Sequence, residues 1–150
     1  MAQSFCNCLM HCVWSTKERR NFIAPELQER LFPYLGGIAR DNGMKALMVG
    51  GIANHVHALL SLPSTMTVAK AAQLLKGGSS KWVHDTFPDY REFEWQAGYG
   101  AFSIGATQVE RTIKYIENQE EHHRGRSFEE EFLEILKIHN VEYDPRYVWD

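Results

Sequence analysis

The sequence predicts an α+β fold, an antiparallel sheet of about four strands covered by helices. Three observations carry that expectation. Apolar runs of strand length recur at 5–15, 45–52, 55–62 and 93–104, separated by segments with the apolar spacing of helices. The second and third runs are joined through Gly50, Gly51 and Ala53-Asn54, a connection that suits an antiparallel hairpin. The resulting order, β-α-β-β-α-β-α-α, is that of an antiparallel sheet with helices laid over it, the ferredoxin-like or RRM-like arrangement. At 150 residues the chain suits one domain with a single core.

The first run, Phe5 to Ser15, is rich in strand formers, and period two places Cys6, Cys8, Met10 and Cys12 on one face. Cys-x-Cys beside His11 lacks the Cys-x2-Cys pairs of structural zinc sites, so buried core cysteines are expected. Pro25 suits a first helical position, and Leu27, Leu31, Leu35 and Ile38 form one apolar stripe ending near Asn42-Gly43. Pro33 with Gly36-Gly37 should kink or divide that helix. Thr67 can cap a helix carrying Val68, Ala71, Ala72 and Leu75 inward, with Lys70 and Lys76 outward. Gly77-Gly78-Ser79-Ser80 then marks either a break or a close backbone approach, before Trp82, Val83 and Phe87 resume the apolar face. Residues 93–104 are expected as the fourth strand, with Phe93, Trp95, Ala97, Tyr99 and Ala101 on one face. Thr107 with Glu110 reads as a capping box for a helix whose core stripe is Val109, Ile113 and Ile116. A second box, Ser127 with Glu130, starts a last helix with Phe128, Phe132, Ile135 and Leu136 inward. The aromatic tail from Val141 to Asp150 is expected to pack on the body.

Charge divides the chain into a body, 1–126, and an acidic C-terminal helix and tail, 127–150. The tail holds seven acids and two bases, while the body holds fourteen bases and twelve acids, within a net charge of −3. Basic residues cluster at Lys17-Arg19-Arg20, at Lys70-Lys76-Lys81 and at Arg111-Lys114-Arg124-Arg126, and local patches can bind phosphate on a protein of negative net charge. Three cysteines crowded into one segment, with none elsewhere, fit a reducing cytoplasm better than a disulfide framework. No run approaches the ~18 apolar residues of a membrane span, and the N-terminus lacks a secretory pattern.

The chemistry centres on Asn54-His55-Val56-His57. On a strand, His55 and His57 share a face about 7 Å apart at the backbone, for a rise of roughly 3.3 Å per residue. Two imidazoles so placed can converge on one divalent ion, with Val56 packed into the opposite face. On the helix that follows, Tyr115 and Gln119 form an i, i+4 pair lying roughly 80 to 160° from the core stripe. A tyrosine hydroxyl titrates near ~10 and needs electrostatic help to act as a nucleophile. A divalent cation held by His55, His57 and Gln119 would polarise a phosphate oxygen, and three neutral ligands would leave the site positive, as a phosphodiester requires. Mixed nitrogen and oxygen ligands are compatible with magnesium or manganese and do not exclude zinc.

Taken in order, the motifs Trp14-Ser15-Thr16-Lys17, Asn54-His55-Val56-His57-Ala58-Leu59-Leu60, Leu75-Lys76-Gly77 with Ser79-Ser80, and Tyr115-Ile116-Glu117-Asn118-Gln119 resemble the single-tyrosine HUH transposases of bacterial insertion sequences, the insertion-sequence-200-like group. The resemblance runs from Cys8 to Gln119 and continues less specifically into His122-His123-Arg124. It implies a C-terminal helical extension carrying the tyrosine, Tyr115 as nucleophile, and His55, His57 and Gln119 as ligands of Mg2+ or Mn2+. In that family the tyrosine attacks single-stranded DNA, forms a 5′-phosphotyrosine link and frees a 3′-hydroxyl. Members recognise hairpins near element ends and commonly act as cytoplasmic homodimers, in which the tyrosine helix can complete the partner's metal site. The resemblance makes Lys76, Ser79 and Ser80 candidates for DNA backbone contact. The basic clusters add Lys17, Arg19, Arg20, Lys81, Arg111 and Lys114 as candidates.

Two features depart from the pattern. Asn54 stands where many relatives carry Asp, a change expected to touch turn geometry more than catalysis, and the body is less basic than is usual for such an enzyme. Two rival readings follow. One is a host-adapted enzyme that nicks palindromic repeats by the same chemistry. The other is a non-catalytic module that binds single-stranded nucleic acid through aromatics such as Trp95, Tyr99 and Phe102.

Overall fold

In the computed structural model, which describes residues 2–150, four antiparallel strands form one sheet in the order β2-β3-β1-β4. The strands are β1 (Cys8–Ser15), β2 (Lys45–Ile52), β3 (His55–Leu62) and β4 (Gly100–Ser103). The helices are α1 (Pro25–Asp41), α2 (Val68–Thr86), α3 (Val109–Glu117), α4 (Gln119–His122) and α5 (Phe128–Ile138). The α+β class and the β2–β3 hairpin agree with the sequence reading. Among the described residues, no helix is long and apolar enough to cross a membrane.

Period two sorts the central strands into two faces. Cys12 and Trp14 of β1, with Val56, Ala58, Leu60 and Leu62 of β3, point toward α1 and α2 and build the larger core with Leu27, Leu31, Leu35, Ala71 and Leu75. Complete burial of each such leucine stabilises the fold by roughly 2 kcal/mol. The other face carries His11, Val13, His55 and His57 on the same strands, since Val13 pairs with His57 and Ser15 with His55. Here Val13 and Phe102 pack with Phe128, Phe132, Ile135 and Leu136 of α5, and Val148 and Trp149 of the tail close over them.

Several local expectations change in three dimensions. The helix α1 runs unbroken through Pro33, because Pro33 lies on its exposed side, where water can satisfy the carbonyl that the missing N–H leaves free. The helix α2 likewise continues through Gly77-Gly78-Ser79-Ser80, and of the two expected alternatives the close approach is realised, at Gly78, where a Cβ would come within 3.1 Å of Ile38 Cδ1 of α1. Of the three cysteines only Cys12 is buried. Cys6 and Cys8 are exposed at and before the start of β1, which begins three residues later than expected.

The fourth strand is shorter than its alternating pattern suggested. Phe93 and Trp95 are buried, but Ala97 and Tyr99 are exposed, and burial resumes on the even residues Gly100 and Phe102. The phase flips because Gln96 bonds to β1, its N–H donating to Ser15 O and its Oε1 accepting from Ser15 N, while Gly98 N–H donates to Asp150 O. The caps divide in the same way. Thr67 Oγ1 accepts from Lys70 N–H, and Ser127 with Glu130 forms the expected box at α5. Thr107 caps nothing: a 3-10 turn precedes α3, and Gln108 Oε1 accepts from Gly105 N–H instead.

Candidate active site and metal centre

The hairpin and three helix ends converge on one buried cluster. His55 and His57 open β3, are fully buried, and present their rings 5.0 Å apart between centroids. Opposite His57 on β2 stands Gly50, where a Cβ would meet both Cγ2 and the carbonyl oxygen of Ile116 at 2.8 Å. The missing side chain lets the backbone of α3 lie directly on the sheet. Ile116 anchors that contact, and its neighbour Tyr115 therefore reaches the histidines, with ring centroids 5.7 Å from His57 and 6.1 Å from His11.

Tyr115 and Gln119 do not share one helix. The chain leaves α3 at Asn118, with φ −97° and ψ 26°, and Gln119 opens α4. The i, i+4 relation nonetheless survives, because Gln119 is buried and its Oε1 lies 2.8 Å from His55 Nε2. The structure thus brings His55, His57, Tyr115 and Gln119 together within one chain.

Three further residues, unassigned in the sequence reading, complete the cluster. Glu131 of α5 is 1% exposed, and its Oε1 lies 3.3 Å from His55 Nε2 and 3.1 Å from His57 Nε2. His123, just beyond α4, places Nε2 3.1 Å from Glu131 Oε1 and 3.2 Å from Gln119 Oε1. His11 of β1 pairs through Nε2 with His57 Nδ1 at 2.8 Å. A signal for Glu131 did exist: an acid at 131 falls among Phe128, Phe132 and Ile135, inside the apolar stripe of a capped helix. Asn54, expected to act through the turn, instead holds the His55 ring, with its Oδ1 2.8 Å from His55 Nδ1.

The electrostatics follow from burial and from the central carboxylate. Burial lowers His11 to about 3, with His57 nearby adding to the effect. Burial also lowers His55 to about 4, against the opposing pull of Glu131. For Glu131 burial works against ionisation, yet the hydrogen bond of His123 and the adjoining imidazoles of His55 and His57 outweigh it and hold the carboxyl far below its usual range. Desolvation likewise opposes protonation of His123, but the Glu131 hydrogen bond and charge leave it raised overall. The phenol of Tyr115 is raised by burial and then by Glu131, whose carboxylate accepts its hydroxyl hydrogen. In this state the hydroxyl is a hydrogen-bond donor and a poor nucleophile.

The donor set fits a divalent cation. With Asn54 Oδ1 accepting from Nδ1 of His55, that neutral ring turns its Nε2 lone pair inward. That lone pair meets the carbonyl oxygen of Gln119 and the carboxylate of Glu131, all acceptors. Among the described residues, His55, His57 and Glu131 form a buried group able to hold a metal ion.

The basic candidates are placed unevenly. Lys17 pairs with Glu94, Arg20 with Glu18 and Lys81 with Asp85, all at exposed positions. Arg19 lies over the Trp149 ring and donates to its carbonyl. Lys76, expected outward, is half-buried and donates to the carbonyls of Ala97 and Gly98, and desolvation lowers it to about 8. Ser79 is fully buried, donating to Lys76 O and accepting from Trp95 Nε1, whereas Ser80 is partly exposed. Arg111 and Lys114 stand exposed on α3, beside the tyrosine.

The chain is similar to known proteins in sequence and in fold. The family model described as transposase IS200 like matches residues 4–119. The ISDra2 transposase TnpA of Deinococcus radiodurans is 26% identical over 114 residues, 73% of this chain and 81% of that one. The transposase for insertion sequence element IS200 of Salmonella typhimurium is 29% identical over 124 residues, 79% of this chain and 81% of that one. A crystal structure from Deinococcus radiodurans R1, described as a transposase, superposes with a TM-score of 0.63 at 24% identity, covering 79% of this chain and 98% of that one. A REP-associated tyrosine transposase bound to a REP hairpin superposes with a TM-score of 0.60 at 13% identity, covering 83% and 73%. These two structural likenesses speak to the fold. On the family match, which spans most of the sequence and includes His55, His57, Tyr115 and Gln119, the chain belongs to the IS200-like transposase family.

Proposed function

We propose that this transposase cleaves and rejoins single-stranded DNA at hairpin-bearing ends, with Tyr115 as nucleophile. The observation that carries this reading is the convergence of Tyr115 and Gln119 on His55 and His57 within one buried cluster of a single chain. Mg2+ or Mn2+ held by His55, His57 and Gln119 would polarise a non-bridging oxygen of the scissile phosphate. Asn54 and His11 orient the two imidazoles through their Nδ1 atoms. Gly50 and Ile116 set the depth at which the tyrosine helix sits. Tyr115 gives up its phenolic proton and forms a phosphorus–oxygen bond as the 3′-oxygen leaves and takes up a proton, so the exchange is proton-neutral. One ester replaces another, so the broken strand keeps its bond energy for rejoining.

Arg111 and Lys114, on the same helix as Tyr115, are the basic residues placed to guide the strand. Lys17, Arg19, Arg20, Ser80 and Lys81 are contacts farther along the surface. Family likeness adds a homodimer, and each copy carries a nucleophile beside its own His57. The binding-module reading loses support because Trp95 and Phe102 are buried, leaving Tyr99 as the exposed aromatic of its three.

The test is a 3′-labelled single-stranded hairpin incubated with the protein and Mn2+. The expected outcome is a labelled adduct that survives denaturation and is absent with Y115F. Hairpin binding with no adduct, on substrates drawn from the DNA flanking the gene, would overturn the enzyme reading. Release of a nicked strand with no rejoining to a second strand would favour the host-adapted nicking enzyme.

A further inference from the structure

Glu131 reaches the cluster from α5, outside the segment that matches the family, and its two oxygens face different partners. Oε1 lies 3.3, 3.1 and 3.1 Å from Nε2 of His55, His57 and His123. Oε2 accepts from the Tyr115 hydroxyl and, at 3.1 Å, from Gln119 Nε2. We propose that Glu131 is an additional ligand of the divalent ion and, through its second oxygen, the positioning residue that fixes the Tyr115 hydroxyl beside that ion in the same chain. The proposal rests on the metal-dependent reading above.

Spacing and donor arithmetic support it separately. Neighbouring ligands around an octahedral ion with bonds of about 2.1 Å lie ~3.0 Å apart, close to the separations of Oε1 from the ring nitrogens. The Nδ1 atom of His55 faces Asn54 Oδ1, so a hydrogen committed there leaves Nε2 as an acceptor in the neutral ring. Glu131 Oε1 and Gln119 Oε1 also bring lone pairs to this point. Acceptors gathered in a buried site are satisfied together by a cation. Because Glu131 lies in the first turn of α5, between Phe128 and Phe132 of the second core, ion binding would also draw that end of the helix onto the sheet.

The experiment is a titration of the full chain with Mn2+, without DNA, followed by calorimetry, comparing the unaltered protein with E131Q, E131D, H57A and Y115F. The expected result is at least a tenfold loss of Mn2+ affinity in E131Q, a smaller loss in E131D, and affinity within about twofold of the unaltered protein in Y115F. Hydrogen exchange should show Mn2+ protecting the amides of α5 in the unaltered protein and not in E131Q. The 13Cζ resonance of Tyr115 should shift between the metal-free forms of the same two proteins. Affinity in E131Q equal to or tighter than that of the unaltered protein, with binding lost in H57A, would overturn the ligand role alone. An unmoved Tyr115 resonance would overturn the positioning role. If H57A binds Mn2+ as well as the unaltered protein does, the metal-dependent reading fails with it. E131D decides the ligand question if E131Q does not fold, since affinity in E131D equal to that of the unaltered protein would also count against it.

Discussion

The two faces of the central sheet are made by the same strands, one residue apart, and do opposite things. Under α1 and α2, Cys12, Trp14, Val56 and Ala58 meet Leu27, Leu31 and Leu35 in a fully apolar core. Under α3, α4 and α5, the alternate residues His11, His55 and His57 meet Gln119 and Glu131 in a polar cluster that is equally buried, with Tyr115 and His123 half-buried at its edge. Burial therefore has two meanings here. On the apolar face it supplies stability, whereas on the polar face it depresses imidazole ionisation and raises the tyrosine, leaving ligand lone pairs and a protonated phenol in place.

The difference can be broken most sharply from the polar side. H57A should reduce strand cleavage by roughly a thousandfold or more, equivalent to about 4 kcal/mol in the barrier, while the protein stays folded. Gel-based cleavage with circular dichroism checks both halves. Mixing H57A with Y115F sharpens the point: a site drawn from one chain predicts no recovered activity, and recovery would mean that Tyr115 serves a partner's ligands.

The apolar side should answer in stability instead. L31A removes a fully buried side chain from α1 and should cost 2–5 kcal/mol, roughly as core leucine truncations do. Urea unfolding measures it, and Mn2+ affinity of the folded protein should be unchanged. A loss of affinity matching the loss of stability would show that the two faces are coupled.

Acid should separate the faces without mutation. His11 and His55 stand at about 3 and about 4 in the folded chain against 6.5 when free. Between those values the unfolded chain binds protons that the folded chain does not, so stability falls as pH falls from 6.5 toward 4. For His55 the shift corresponds to roughly 3 kcal/mol at about 1.4 kcal/mol per unit. Glu131, held low, adds a loss in the same direction below 4.5. His123, held high, works the other way: its contribution is complete below 6.5 and is lost as pH rises through its folded value. The melting temperature should therefore fall progressively from pH 6.5 to 4, and a level profile would contradict the burial of neutral histidines.

G50A tests the seam between strand and helix and should have the smallest effect on stability. Its Cβ would press on Ile116 at 2.8 Å, forcing α3 outward at a cost of roughly 1–3 kcal/mol. Cleavage should drop by more than that loss of stability explains, because Tyr115 moves with Ile116. An unchanged ratio of activity to folded protein would show that the helix has slack.

What the sequence determined by itself was local and periodic. The leucine stripe of α1, the shared face of His55 and His57, the Tyr115–Gln119 spacing and the Ser127–Glu130 box all depend on residues within one or two turns, where backbone geometry alone sets which side chains are neighbours. Pro33 misled, and the break-or-close-approach choice at Gly77-Gly78 stayed open, because local rules do not say which side of a helix faces water and which faces another helix. The flipped phase of residues 93–103 came from Gln96 bonding to β1, some 80 positions earlier in the chain.

The site divides along the same line. Two histidines, a tyrosine and a glutamine were legible as motifs, but their convergence required Gly50 to admit α3 onto the sheet. His11, His123 and Glu131 belong to three separate segments and carry no spacing that links them. Only the packing of β1, α4 and α5 around one buried point decided that they meet. There, excluded water leaves their polar atoms to be satisfied by neighbours in the cluster, such as His57 for His11 and Glu131 for His123.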